Sequence, residues 1–351
     1  MKRILIVRTS AIGDVVLASP MADAIRRAHP DAHVAWLVQA EYASLIAHDP
    51  AINEIIPWPR GQWLRDAKAG RVLALRRSIV EFRRALRERA FDTAINLQGL
   101  LKSGFLTWLS GAPRRVGLSP REGSRVFHTE RLDAPASLGR IGGEYRALAE
   151  HLGLDAGAFI PTLHVSPEAE RRALDRLAGH GVGPGAFAVF APHTTRPQKH
   201  WFGQSWRELA PRIRGEFGLV PVLLGSPGDR PASETIAASD SRDFINLVGH
   251  TRLDEAMALV KHASLVVGVD TGLTHMGTGF ARPTVALFGS TCPYTDPGRS
   301  TTRVIYLGLP CAPCRRHPTC GGAFTCLREI TPESVMTHVR AVMSTRAGEG
   351  S

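Results

Sequence analysis

Short apolar runs alternate with segments of helical period along most of the chain. Ile4-Leu-Ile-Val7, Val34-Ala-Trp-Leu-Val38 and Thr93-Ala-Ile-Asn-Leu97 are almost wholly apolar, the pattern of parallel strands buried on both faces. Val15–Arg27 and Leu75–Arg89 lie between them and carry the apolar stripe of amphipathic helices. A second series supplies strands at Phe187–Phe190, Val220–Leu224, Phe244–Leu247, Leu265–Val269 and Thr284–Phe288. Helices are expected at 203–215, 230–239, 253–262 and 272–281. Between 155 and 185 the pattern dissolves into Gly, Pro, Ala and charge, which reads as the interdomain region. The expected organisation is a domain over 1–165, a second over 166–330, and a C-terminal helix and tail over 331–351, the tail frayed beyond Thr345. The class is α/β: two Rossmann-like, doubly wound domains facing a cleft, with ligands at the carboxyl ends of the strands.

At 351 residues, two cores are the expectation. Hydrophobic content of 44% and charged content of 21% describe an ordinary globular protein. The net charge of +11 does not. It favours an anionic partner, although a generically basic proteome explains part of it. No segment approaches the roughly 18 apolar residues of a membrane span. The apolar run after Met1-Lys-Arg is too short for a secretion signal and reads as the first strand of a cytoplasmic protein.

Candidate chemistry gathers where strands turn into helices. Thr9-Ser-Ala-Ile-Gly-Asp14 follows the first strand, and Gly13 permits a tight turn. Asp14 suits a helix cap or a general base at a cleft floor equally well. The Gly-x-Gly-x-x-Gly dinucleotide fingerprint is absent from this turn. A basic, Trp-containing loop over Arg60–Arg71, including Arg65 and Lys68, suits an anionic or amphiphilic acceptor. The later arginines, from Leu75, read as a solvated helix face. Lys102, Arg121 and their neighbours form a second basic group. No nucleic-acid motif accompanies them, and nucleic acid is not an expected partner. In the second series, Thr194, Thr195 and Lys199 suit a diphosphate, and Asp229 suits ribose hydroxyls or a helix cap. Val269-Asp-Thr-Gly-Leu-Thr-His275 turns from strand to helix; alone it reads slightly more as a capped turn than as a site, and beside the loops at Thr194–Lys199 and Gly225–Asp229 its Thr271 and Gly272 N–H groups suit phosphate. Asp270, itself an anion, better orders the loop, and His275 adds charge if protonated.

Together these pieces, with Gln98-Gly-Leu-Leu-Lys-Ser103 and Gly225-Ser-Pro, resemble glycosyltransferase family 9, the bacterial ADP-heptose:lipopolysaccharide heptosyltransferases, and most closely its heptosyltransferase I branch. The resemblance implies a GT-B fold with a donor site in the second domain and an acceptor site in the first. It implies inverting transfer with no metal or cofactor required for catalysis. Asp14 falls on the family's general base. Lys199 falls on its diphosphate lysine and catalytic cation, Thr194 and Thr195 on its hydroxyl pair, and Asp270, Thr271, Gly272 and His275 on its donor loop. Arg60, Arg65, Lys68, Lys102 and Arg121 lie where basic acceptor contacts are expected. The implied partners are ADP-heptose, a Kdo-lipid A acceptor, and the cytoplasmic face of the inner membrane, to which the enzyme is peripheral. Asp229 is one methylene shorter than the family's ribose-binding glutamate.

The cysteines mark a second departure. One of the five stands apart at Cys292, while Cys311, Cys314, Cys320 and Cys326 cluster. In a reducing compartment such spacing suits one tetrahedral zinc or iron that fixes a loop. Unligated thiols or a redox pair at Cys311 and Cys314 are the alternatives. A related branch, the autotransporter heptosyltransferases, carries iron held by cysteines. Two other functions stay open: ADP-sugar transfer to a protein or another glycan, and non-catalytic binding of a nucleotide sugar or anionic polymer.

Overall fold

A computed structural model describes residues 1–134, 139–237 and 244–349, with side chains described through residue 345. Its contacts divide it into two units, Met1–Leu138 with Gly142–Phe159, and Gly139–Ile141 with Ile160–Ser351. The C-terminal helix thus belongs to the second unit.

The first unit contains β1 (Arg3–Val7), α1 (Ile12–Ala18), α2 (Pro20–Ala28), β2 (His33–Gln39), β3 (Glu54–Trp58), α3 (Arg60–Lys68), α4 (Val72–Glu88), β4 (Thr93–Asn96), α5 (Leu101–Leu109), β5 (Arg114–Leu118), β6 (Glu130–Leu132) and α6 (Gly143–His151). Its six strands run parallel in the order β3-β2-β1-β4-β5-β6. Leu5 lies beside Ala35 on one side and Ala94 on the other. On one face, Leu5, Val7, Leu37 and Ala94 pack with Trp63, Leu86 and Leu106 of the covering helices.

The second unit contains α7 (Pro167–Ala178), β7 (Phe187–Ala191), α8 (Gly203–Phe217), β8 (Val220–Leu223), α9 (Arg230–Ala237), β9 (Ile245–Asn246), α10 (Leu253–His262), β10 (Leu265–Val269), α11 (Gly272–Gly279), β11 (Thr284–Phe288), β12 (Thr302–Tyr306), α12 (Thr325–Arg328) and α13 (Pro332–Glu349). The parallel strand order is β12-β11-β10-β7-β8-β9. Renumbered within its unit, each sheet has the order 3-2-1-4-5-6 of a dinucleotide-binding fold. In both, the order reverses between the first and fourth strands, β1 and β4 or β7 and β10. Val335, Met336, Val339 and Val342 of α13 enter the second core beside α8, β10 and β11.

Four local expectations change. The single helix expected over Val15–Arg27 is two, because Pro20 has no N–H to continue α1 and instead opens α2. The Arg60 region is helix α3, not a loop. Its period was hidden because only Trp63 and Asp66 are buried. Trp63 is core: its indole donates to Ser78 Oγ at 2.9 Å and packs edge-on against Trp58 and Phe82. The stretch read as interdomain contains α7, whose buried stripe is only Ala169, Ala173 and Leu177. Ser166 caps that helix by accepting from Ala169 N–H, and Arg172 ties it to Asp254 and Glu255. α13 continues past Thr345 to Glu349, and residues 350–351 lie outside the described residues, as do 238 and 239 of the helix expected to end there. Among the described residues, no helix is long and apolar enough to cross a membrane.

Candidate active site

In an open parallel sheet, the crevice for ligands lies outside the carboxyl ends of the strands where their order reverses. In the first unit, β1 runs there into Arg8. This side chain is buried and bridges the divide, with Nη1 donating to the Leu97 carbonyl beyond β4 at 2.7 Å. Its Nη2 lies 2.6 Å from Asp14 Oδ2, and its guanidinium covers the Tyr145 ring. Burial opposes the Arg8 charge, yet Asp14, Tyr145 and Glu144 hold its pKa above the usual arginine value. Asp14 is the third residue of α1, and Ala11 occupies the cap position. Its carboxylate accepts the Ala11 N–H at 3.2 Å, and its side chain is 47% exposed. The result is a carboxylate fixed from below and open to solvent, with Gly13 in the helical turn beside it.

The β4 side of the crevice is built around polar groups. Thr9 Oγ1 donates to Gln98 Oε1 at 2.7 Å. Asn96 Oδ1 accepts the Gln98 N–H at 3.0 Å, and the Asn96 amide meets His128 Nε2 at 3.0 Å. Gly99 takes a φ of +67°, and a Cβ there would meet the Ser119 carbonyl at 2.5 Å, so this turn requires glycine. Burial pushes His128 down to about 4, helped by Arg115 and Arg131, so it accepts from Asn96 as neutral imidazole.

The basic residues read as acceptor contacts occupy neighbouring strand ends. Arg60 opens α3 after β3, and Lys102 lies in the first turn of α5 after β4. Burial and the charges of Arg60 and Arg8 lower the Lys102 pKa, against Glu122. Arg121 follows β5, and its N–H donates to the Gly99 carbonyl at 2.8 Å. Arg65 and Lys68 are exposed farther along α3.

The second unit treats its reversal point differently. Lys199 ends one turn of 3₁₀ helix after β7, and Asp270 immediately follows β10. Lys199 Nζ lies 2.5 Å from Asp270 Oδ2, so this ion pair spans the divide. Thr291, after β11, donates its hydroxyl to the same oxygen. His275 Nε2 lies 3.2 Å from Asp270 Oδ1, and its Nδ1 lies 3.0 Å from the Tyr294 hydroxyl. Asp270 is only 12% exposed. Burial disfavours its charge, but the His275 hydrogen bond and the Lys199 charge hold its pKa well below the carboxylate range. Burial and the Asp270 charge push the nearby Cys292 thiol up to about 11. Thr271 caps α11 with extended backbone, and Gly272 begins it. The first-turn amides beside Lys199 therefore have no intrahelical acceptors.

His275, expected as a charged donor contact, turns inward instead, both ring nitrogens engaged by Asp270 and Tyr294. Thr194 is half-buried, its carbonyl 2.7 Å from His200 Nε2, and Thr195 is exposed. Asp229 accepts from the Ser226 N–H and hydroxyl at 2.8 and 2.6 Å in a single turn after β8. Sequence reasoning misses Arg8, Thr291 and Tyr294 as site residues. A charge ending an apolar strand marks Arg8, and Thr291 sits at the next strand's carboxyl end. Nothing local in the sequence marks Tyr294.

The four clustered cysteines are unpaired and range from exposed Cys311 to buried Cys326. Burial raises the Cys326 thiol pKa, as do Cys314, Cys311 and Cys320 nearby. Backbone N–H groups, led by that of Phe324, lower Cys320. Among the described residues, no three His, Cys, Asp or Glu side chains are arranged to hold a metal ion.

Comparison with known proteins agrees with this architecture. Residues 79–322 match the family model for glycosyltransferase family 9 (heptosyltransferase). The chain is 30% identical to lipopolysaccharide heptosyltransferase 1 of Pseudomonas aeruginosa, covering 97% of this chain and 98% of that protein. It is 27% identical to lipopolysaccharide heptosyltransferase 2 of Escherichia coli over the same shares. Solved structures of E. coli ADP-heptose lipopolysaccharide heptosyltransferase II and of E. coli heptosyltransferase WaaC with ADP-2-deoxy-2-fluoro heptose superpose with TM-scores of 0.76 and 0.70. Each is 25% identical, the first covering 99% of this chain and 100% of that one, the second 96% and 99%. With the family model covering most of its length, two parallel six-stranded sheets and full-length relatives, this chain belongs to glycosyltransferase family 9 and is a glycosyltransferase.

Proposed function

We propose that this enzyme moves heptose from ADP-heptose to a Kdo residue of the lipopolysaccharide inner core, with inversion at the anomeric carbon. The observation that carries the reading is the Asp14 carboxylate, held on buried Arg8 and open to solvent at a strand-order reversal. The names of the relatives supply the sugar and the lipopolysaccharide core.

In this reading Asp14 accepts the proton of the acceptor hydroxyl as that oxygen attacks the anomeric carbon. The bond from that carbon to the diphosphate oxygen breaks, and ADP leaves with the electron pair. One displacement on the face opposite the leaving group inverts the centre. Lys199 and the first-turn amides of α11 stabilise the charge that develops on ADP. Asp270 keeps Lys199 in place; Thr194 and Thr195 line the diphosphate and Asp229 the ribose. Arg60, Lys102 and Arg121, with Arg65 and Lys68 beyond, receive the carboxylates and phosphates of a Kdo-lipid A acceptor. Because that acceptor is a lipid, the enzyme works at the cytoplasmic face of the inner membrane.

A donor and acceptor screen read by product mass tests this. ADP-heptose with Kdo2-lipid A should give a product heavier by one heptose. Turnover only with a heptose-terminated core would move the enzyme to the second heptose. Turnover only with a protein would replace the acceptor, and binding without turnover would reject the transferase mechanism.

A further inference from the structure

The basic stretch after β3 continues into a helix whose outer face carries more than charge. α4 buries or half-buries Leu75, Ile79, Phe82 and Leu86 against the first core. That stripe is all a helix on a sheet needs. Yet the opposite side exposes Leu73 and Val80, 80% and 56% accessible and two turns apart. Arg76, Arg77, Arg84 and Arg87 are exposed along the same stripe, at three, four, eleven and fourteen residues from Leu73. Arg83 at its border lies over the Trp108 ring at 5.2 Å, and Trp108 is itself 39% exposed. The patch therefore reaches α5. On α4 itself five arginines stand against two glutamates, Glu81 and Glu88, and Arg84 Nε lies 3.7 Å from Glu88 Oε1, which leaves a net excess of three positive charges. A face that was merely solvated would need neither the aliphatic pair nor so one-sided a charge.

We propose that this face of α4 docks the first unit onto an anionic phospholipid bilayer. Leu73 and Val80 enter the boundary between headgroups and acyl chains, while the arginine stems lie along it and their guanidiniums pair with lipid phosphates. The helix lies in the plane of the surface: it is about 25 Å long and too charged on this face to enter further. The proposal rests on the membrane-surface location given above and names the surface responsible.

The test floats full-length protein with vesicles of phosphatidylethanolamine and phosphatidylglycerol, or of phosphatidylcholine alone, all free of acceptor. Binding is expected to the anionic vesicles, weakened by salt, and not to the neutral ones. Arg76→Glu with Arg77→Glu should lower partitioning by about fivefold or more per charge removed. Leu73→Ser with Val80→Ser should lower it about tenfold, because apolar burial adds to the attraction. An environment-sensitive dye on Leu73→Cys, compared with the labelled parent, should shift to the blue on anionic vesicles. All variants should retain the parent circular dichroism and the parent rate on a deacylated, water-soluble acceptor. Equal flotation of parent and variants, or a dye that stays in water, would overturn the proposal. So would loss in the variants of RNA binding or self-association instead of vesicle binding. A parent that floats but never turns over the soluble acceptor would sink the Kdo-acceptor reading and leave this surface standing.

Discussion

Two sheets of one topology use an aspartate at the reversal point in opposite ways. In the first unit, Asp14 has Arg8 beneath it and the Ala11 N–H beside it, and nearly half its surface is open. In the second, Asp270 is closed in by Lys199, His275 and Thr291. An open carboxylate with one buried cation behind it can meet a hydroxyl and take its proton. A carboxylate with three partners and little exposure has no capacity left for chemistry, and it serves to hold a lysine. The fold provides the position, and the number of partners sets how much of each carboxylate is left free.

The largest expected effect breaks the first half of this contrast. Asp14→Ala should lower kcat by about a thousandfold, within the range for a lost general base; transfer kinetics with the parent donor and acceptor check it. Lys199→Ala acts on the second half. It strips a buried carboxylate of its charged partner, and calorimetric unfolding should show a loss of about 3–5 kcal/mol. ADP affinity should fall with it, by about tenfold or more. Lys199→Arg should restore more stability than affinity, because a guanidinium directs its charge differently.

Acid probes the support beneath the first site. His128 is neutral in the fold and lies at about 4, against an ordinary value near 6.5. The unfolded chain therefore binds this proton more readily. Its contribution is fully present above pH 6.5 and is lost as pH falls towards 4, to a total on the order of 3 kcal/mol. Protonation at Nε2 also removes the acceptor for Asn96, which holds the Gln98–Gly99 turn. Denaturant unfolding from pH 7 to 4 should be shallower in His128→Asn than in the parent. The depressed Asp270, by contrast, keeps its contribution until pH enters the carboxylate range and loses it below.

Smaller effects sharpen the picture. Thr291→Val removes one hydrogen bond to a buried carboxylate and should cost about 1.5–3 kcal/mol of stability. Thr291→Ser should restore it, along with any lost ADP affinity. For the cysteines, the spacing predicts about one equivalent of zinc or iron, lost in Cys314→Ser with little effect on kcat, whereas the arrangement of the described side chains predicts none; elemental analysis of protein purified without added metal decides between them.

Much of the scaffold was legible because parallel strands buried on both faces leave unbroken apolar runs, and both series of runs show. The turn sequences at Asp14, Lys199 and Asp270 were legible because strand-to-helix turns concentrate Gly, Thr and charge. Helices α3 and α7 were not, since each buries only two or three residues and their period is faint. The Lys199–Asp270 pair joins residues 71 apart, and only the strand order brings them together. For the same reason His275 read as a free contact: its partner Tyr294 is nineteen residues on, in a loop without a pattern of its own. In the sequence the arginines of α4 read as a solvated face, and only packing shows that Leu73 and Val80 lie outside the stripe that meets the core.

The most direct test of the division of labour is the binding of ADP-heptose to the Asp14→Ala protein, measured by titration calorimetry. If the first unit holds the base and the second holds the donor, affinity should stay within about twofold of the parent, while turnover is lost. A tenfold loss of donor affinity in that variant would contradict the account.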